Sequence, residues 1–241
     1  MVLARHLYKR IMRRGRVIGL LVLSSVPALL FWLVGFDDTD GGLAELYTDI
    51  VSSVGYTYAI AALILTTATL RDERDSGTLP YIYMRPISRV SMATQSVLAG
   101  TAAALVIGLG GWLAAMLASL AVGDVSIALP SWTLFASAGI GYAAVFVPLG
   151  YLVPRSLLVG LGYILVVETI LANVVTGLAQ ISIWRIALSI YAGVESGFGS
   201  VAVENLGPVT PGVGGGLVKL GAIILLGLGV LTWALKRRDA L

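Results

Sequence analysis

No cysteine occurs in the 241 residues, and histidine occurs once, at His6. The first absence excludes disulfides, thiolate metal sites and cysteine nucleophiles. The second excludes His-based triads and any two-His metal site. Charge is scarce too: Asp, Glu, Lys and Arg make up 12% of the chain, against about 25% in soluble domains. What fills the space is apolar, at 58% of residues and a mean hydropathy of +0.93. A soluble fold of this length cannot hide that much apolar surface, so the implied solvent is lipid. The net charge of +3 does not point to nucleic acid, because the basic residues cluster at the ends of apolar runs.

The apolar runs predict an all-α polytopic membrane protein forming a single transmembrane domain. About 20 helical residues cross about 30 Å of hydrocarbon. Six spans are expected, over 17–36, 50–70, 90–123, 131–153, 157–178 and 217–235. The first follows a basic stretch as a signal peptide would. It is long for one, though, and Phe36-Asp37-Asp38 follows instead of a small-residue cleavage site, so it reads as a retained span. The third is too long to stand upright, and Pro148 is expected to kink the fourth. Glycines 100, 108, 139, 141, 150, 160, 227 and 229 read as close-packing points between helices.

Lys and Arg placement sets the expected orientation. With the N-terminus inside, the inner side collects Arg5, Lys9, Arg10, Arg13, Arg14, Arg16, Arg71, Arg74, Arg85, Arg89, Arg155, Lys236, Arg237 and Arg238. Only Arg185 and Lys219 fall outside. Both termini are then cytoplasmic, in a cell membrane. Residues 1–16 place Leu3, Leu7, Tyr8, Ile11 and Met12 at helical spacing. They read as an amphipathic helix on the inner leaflet, with Arg5, Lys9, Arg10, Arg13 and Arg14 toward lipid headgroups. Segment 181–216 is expected outside, its first half as a helix dipping into the interface.

The most informative stretch is the inner loop 71–89. A charged helix end carrying Glu73 breaks at Gly77, and Thr78 can cap a new short helix with Pro80 in its first turn. Leu79, Ile82 and Tyr83 give that helix an apolar stripe, and Pro86 ends it. The Glu-containing helix end, Gly77-Thr78-Leu79, and Arg85-Pro86-Ile87-Ser88-Arg89 together resemble the type-2 ABC transporter permease family. The stretch from Gly160 to Glu168, running on to Ile181–Arg185, is similar to one branch of it, although Val167 stands where that branch often has Trp.

The resemblance implies a six-span permease and an N-terminal interface helix. It also implies that loop 71–89 is a coupling helix contacting a separate ATPase through Glu73, Gly77, Thr78, Leu79, Ile82, Tyr83, Arg85 and Arg89. Two ATPase chains and a second permease chain, a copy or a relative, would complete the assembly, with export as the direction. No cofactor is expected on this chain; ATP and Mg would sit on the partner. The glycine spacing of residues 216–222 mimics a phosphate loop but lacks the Lys-Ser/Thr, so the chain itself is not read as an enzyme.

Two other functions compete. An intramembrane enzyme would need clustered acids or a Ser/His pair near one face, which the sequence does not offer. A proton-coupled secondary transporter would use Glu168, the one acid well inside a span, about 17 Å deep by helical rise. An intramembrane carboxylate must face protein or water. Thr169, Asn173 and Thr176 form a polar stripe that could line a pathway, while Glu168 falls on an apolar face suited to bonding with a neighbouring helix. Helix-to-helix hydrogen bonding explains Tyr56, Tyr58, Thr66, Thr67 and Thr69 at least as well as a pathway does.

Overall fold

The computed structural model describes residues 2–36, 42–77, 87–171, 180–195 and 212–237. Among these the protein is helical, with no strand. The helices are α1 (Val2–Ile11), α2 (Arg14–Ser24), α3 (Val26–Gly35), α4 (Leu43–Val54), α5 (Tyr56–Asp75), α6 (Arg89–Val122), α7 (Trp132–Leu152), α8 (Ser156–Gly162), α9 (Ile183–Glu195) and α10 (Val213–Arg237). A π-helical stretch, Tyr163–Leu171, continues α8.

Four helical stretches are long and apolar enough to cross a membrane: Arg14–Gly35, Arg89–Val122, Val125–Leu152 and Val213–Arg237. A fifth is the pair α4 and α5, bent by 41° at Gly55. Gly55 sits there because the Trp184 ring lies where its Cβ would be, at 2.0 Å. The expected fifth span is described only as far as residue 171. The chain is an all-α polytopic membrane protein, and its count of crossing helices among the described residues is four to five, against the six expected.

The arrangement follows from which helices bury themselves in protein. Of an 18-residue apolar window within Val125–Leu152, 78% is buried, against 17% of one within Val213–Arg237. So α7, with α5 packed along it, forms the centre, and α2, α3, α6 and α10 turn apolar faces outward. Small residues make the centre possible. Tyr58 is fully buried and its hydroxyl donates to the carbonyls of Ala104 (3.0 Å) and Phe135 (3.1 Å). A Cβ on Gly108 or Gly139 would lie 2.8 or 2.4 Å from that hydroxyl.

Pro148 lies inside α7, which continues to Leu152. Proline supplies no N–H to the carbonyl four residues back. That carbonyl, on Ala144, is where Gly227 of α10 approaches; a Cβ there would sit at 2.1 Å. Gly150 meets the Thr67 carbonyl in the same way, at 2.2 Å. Gly229 departs from the packing expectation, since a Cβ there would meet nothing within 4 Å.

Helix α1 also departs from expectation. Its apolar stripe does not face lipid: Leu3, Leu7 and Ile11 are buried against the protein. Leu3 and Leu7 join Leu70, Met92, Val147, Tyr151, Leu231 and Leu235 in one cluster, so α1 closes the end where α5 and α7 finish, α6 begins and α10 ends. A ten-residue helix is marginal alone, and those helix ends offer it apolar partners. Helix α9 is likewise buried, with Ile183, Trp184, Leu188 and Tyr191 at 2% exposure or less, rather than lying on the surface.

Candidate functional site

The end closed by α1 carries most of the described basic residues. Helix α5 arrives there with Asp72, Glu73 and Asp75 in its last turn. Carboxylates are unfavourable at a helix C-terminus, where the dipole is already negative. Cations from α1 and α2 offset them. Arg10 contacts Glu73 at 2.7 Å, and His6 Nε2 lies 3.4 Å from the same carboxylate. Arg16 pairs with Asp72 at 3.3 Å. Arg10 also donates to the Asp72 carbonyl (3.1 Å) and to Ser76 Oγ (2.8 Å), so one guanidinium holds both a side chain and the terminal backbone of α5. Arg74 donates to the carbonyl of Tyr151 at the end of α7, at 3.0 Å.

Glu73, with a side chain only 1% exposed, was expected to face a partner subunit. Its carboxylate instead turns inward onto Arg10, because a buried charge is held by a counter-charge. Arg10, expected toward headgroups, is therefore committed to α5. Arg5, Lys9, Arg13 and Arg14 are exposed.

Beyond Ser76 the chain leaves α5 through Gly77, at φ +68°, a conformation that favours glycine. Helix α6 is capped at Ser88, whose Oγ accepts from the Ser91 N–H at 3.2 Å, with Arg89 opening the helix. Both roots of the loop are thus fixed. Thr78, Leu79, Ile82, Tyr83 and Arg85 lie outside the described residues.

The second site surrounds Glu168, which is fully buried. Oε1 accepts from the Ile183 N–H at 3.2 Å. Oε2 accepts from the Trp184 N–H (3.1 Å), the Tyr142 hydroxyl (2.9 Å) and the Ser182 hydroxyl (3.3 Å). Ile183 and Trp184 are the first residues of α9, whose N–H groups have no partner inside the helix. Glu168 therefore caps α9 at its positive dipole end, and Tyr142 ties the cap to α7. Tyr56 Oη donates to the Glu168 carbonyl at 3.0 Å, and Arg185 is buried beside it at 7% exposure.

The expected bonding of Glu168 to a neighbouring helix is present, but its donors were not legible in the sequence, for a local reason. Glu168 lies in π-helical backbone, so the 100° spacing of an α-helix does not apply around it. The Thr169 hydroxyl bonds to the carbonyl of Ile164, five residues back, at 3.2 Å. The apolar face expected around Glu168 instead meets Tyr142 of α7 and Ser182, the residue before α9. Asn173 and Thr176 lie outside the described residues. Of the other polar candidates on the second span, Thr66 and Thr67 donate to the carbonyls of Ala62 and Leu63, both at 2.6 Å.

No curated protein matches the chain. The family model described as ABC-2 family transporter protein matches residues 11–172, about two thirds of the sequence, taking in both loop roots and Glu168. The chain belongs to the ABC-2 family of transporter proteins.

Proposed function

We propose that this permease forms the translocation path of an ABC exporter and is driven by two separate ATPase subunits, which bind ATP and Mg. A second copy of the chain, or a related permease, completes the assembly. Residues 78–86 dock on the ATPase through Leu79, Ile82 and Tyr83, flanked by Gly77, Thr78, Arg85 and Arg89. The carrying observation is the clamp of Arg10 and Arg16 on the last turn of α5. Force applied beyond Gly77 reaches a helix end already tied to α1, α2 and, through Arg74, α7. Glu73 serves inside this clamp. Arg5, Lys9, Arg13 and Arg14 remain the residues that face the membrane surface.

The test is the energy source. Reconstituted with its ATPase, the protein should transport only when ATP is hydrolysed, and a protonophore should leave the rate unchanged. A proton-coupled carrier using Glu168 gives the reverse pattern. Both oxygens of that carboxyl already accept backbone N–H groups of α9, which favours a holding role over proton carriage.

In this reading both termini are cytoplasmic, in a cell membrane. Single cysteines at Asp38, Ser76 and Ser200 test this in an otherwise cysteine-free chain. An impermeant maleimide should label positions 38 and 200 in intact cells and leave 76 unlabelled. Labelling at 76 overturns the orientation.

A further inference from the structure

We propose that a groove between the start of α6 and the end of α10 binds an anionic glycerophospholipid, with its headgroup at Lys236 and Arg237 and an acyl chain along Gly229. The groove has a volume of about 380 Å³ and is lined by Val90 and Thr94 of α6 and by Leu228, Gly229, Thr232, Trp233 and Lys236 of α10. Its chemistry is graded along α10. Leu228 and Gly229 form an apolar floor with Val90. Thr232 and Trp233 follow one turn later, and Lys236 one turn after that. Arg237 is held over the Trp233 ring, 4.3 Å from the centroid. Apolar floor, interfacial aromatic and hydroxyl, then cation is the order in which a phospholipid presents acyl chain, ester region and phosphate. Among the described residues no carboxylate lines the groove, and Lys236 gives its mouth a positive charge that favours an anion.

Gly229 is the residue that leaves the floor open. The packing glycine on the same helix, Gly227, abuts the Ala144 carbonyl, whereas a Cβ at 229 would meet nothing within 4 Å. The groove also continues into lipid-facing surface: Val90 is 53% exposed and Leu226 68%. An acyl chain can thus enter sideways from the bilayer. Basic pockets between spanning helices at the membrane edge select anionic headgroups in this way.

The groove joins the first turn of α6, which follows the 71–89 loop, to the last helix. A bound lipid would bridge the helix that follows the loop and the last helix.

Native mass spectrometry of the full chain in micelles tests the site, using phosphatidylglycerol and phosphatidylcholine of identical acyl chains. Phosphatidylglycerol should bind about tenfold more tightly, the preference expected when basic side chains meet an anionic headgroup. Gly229→Leu keeps every charge, has open space at its Cβ, and by filling the floor should abolish tight binding of either lipid. The pair Lys236→Gln and Arg237→Gln should bring the two lipids to equal affinity. Each variant is accepted only if it elutes monodisperse with unchanged helical content; if Gly229→Leu fails this, Gly229→Val takes its place. Equal binding of both lipids by the unaltered chain overturns the proposal. So does retained selectivity in the variants, or equal competition by glycerophosphoglycerol lacking acyl chains.

Discussion

Glu168→Leu is expected to yield little folded protein, while Glu168→Gln yields protein that folds but unfolds at a lower temperature. Leucine leaves the N–H groups of Ile183 and Trp184 without an acceptor, together with the hydroxyls of Tyr142 and Ser182. A buried donor left unmade costs about 1–3 kcal/mol. The hydroxyls can rotate toward other acceptors, but the two backbone N–H groups cannot. The loss of about 2–6 kcal/mol from them alone is comparable with the whole stability of many proteins, about 5–15 kcal/mol.

Glutamine differs in one place. The two N–H groups sit on different oxygens, so an amide can accept one and must turn its NH2 toward the other. With its oxygen in the Oε2 position it keeps Trp184, Tyr142 and Ser182 and strands Ile183, a cost of about 1–3 kcal/mol. The split of donors between the two oxygens is what makes glutamine costly. Thermal unfolding in detergent should rank the unaltered chain above Gln, and Gln well above Leu. A Leu variant as stable as the unaltered chain would show that Glu168 does not hold α9.

Arg10→Ala is the second large effect. It removes the 2.7 Å partner of a carboxylate whose side chain is 1% exposed, and with it the donor to the Asp72 carbonyl and Ser76. Breaking a buried pair from one side typically costs about 3–5 kcal/mol. The lower end applies here, because His6, 61% exposed, still reaches the same carboxylate at 3.4 Å. The loss should be local. Helix α1 detaches from α5, and trypsin cuts after Lys9 at least tenfold faster while the spans stay folded. Replacing both partners, Arg10→Met with Glu73→Leu, should restore much of the protection, because no buried charge is then left alone. If the single and double variants are cut equally fast, the pair does not hold α1.

These two sites show what a single sequence can and cannot carry. The apolar runs, the charge asymmetry and the loop at Gly77 were legible because each is a one-dimensional pattern with a direct physical cause. The amphipathic spacing of Leu3, Leu7 and Ile11 was equally legible, but spacing tells only that a face is buried, not whether lipid or protein buries it. The ends of α5, α6, α7 and α10 supply that answer, and they are distant in sequence. The same limit applies to Glu73, whose partner lies 63 residues away at Arg10. Around Glu168 the bond to a neighbouring helix was legible but its donors were not: a π-helical stretch has no composition signal, and the donors from α9 and α7 come together only in three dimensions.

The most direct measurement concerns the loop itself. A single cysteine at Tyr83 should form a cross-link to the ATPase subunit when the assembled transporter is treated with a short bifunctional maleimide. Tyr83→Ala should insert normally yet transport poorly, since interface anchors of this kind cost about 2 kcal/mol or more when truncated. An assembly that shows no ATPase cross-link at position 83, with Tyr83→Ala and Leu79→Ala both transporting at the full rate, would contradict the coupling role of the loop.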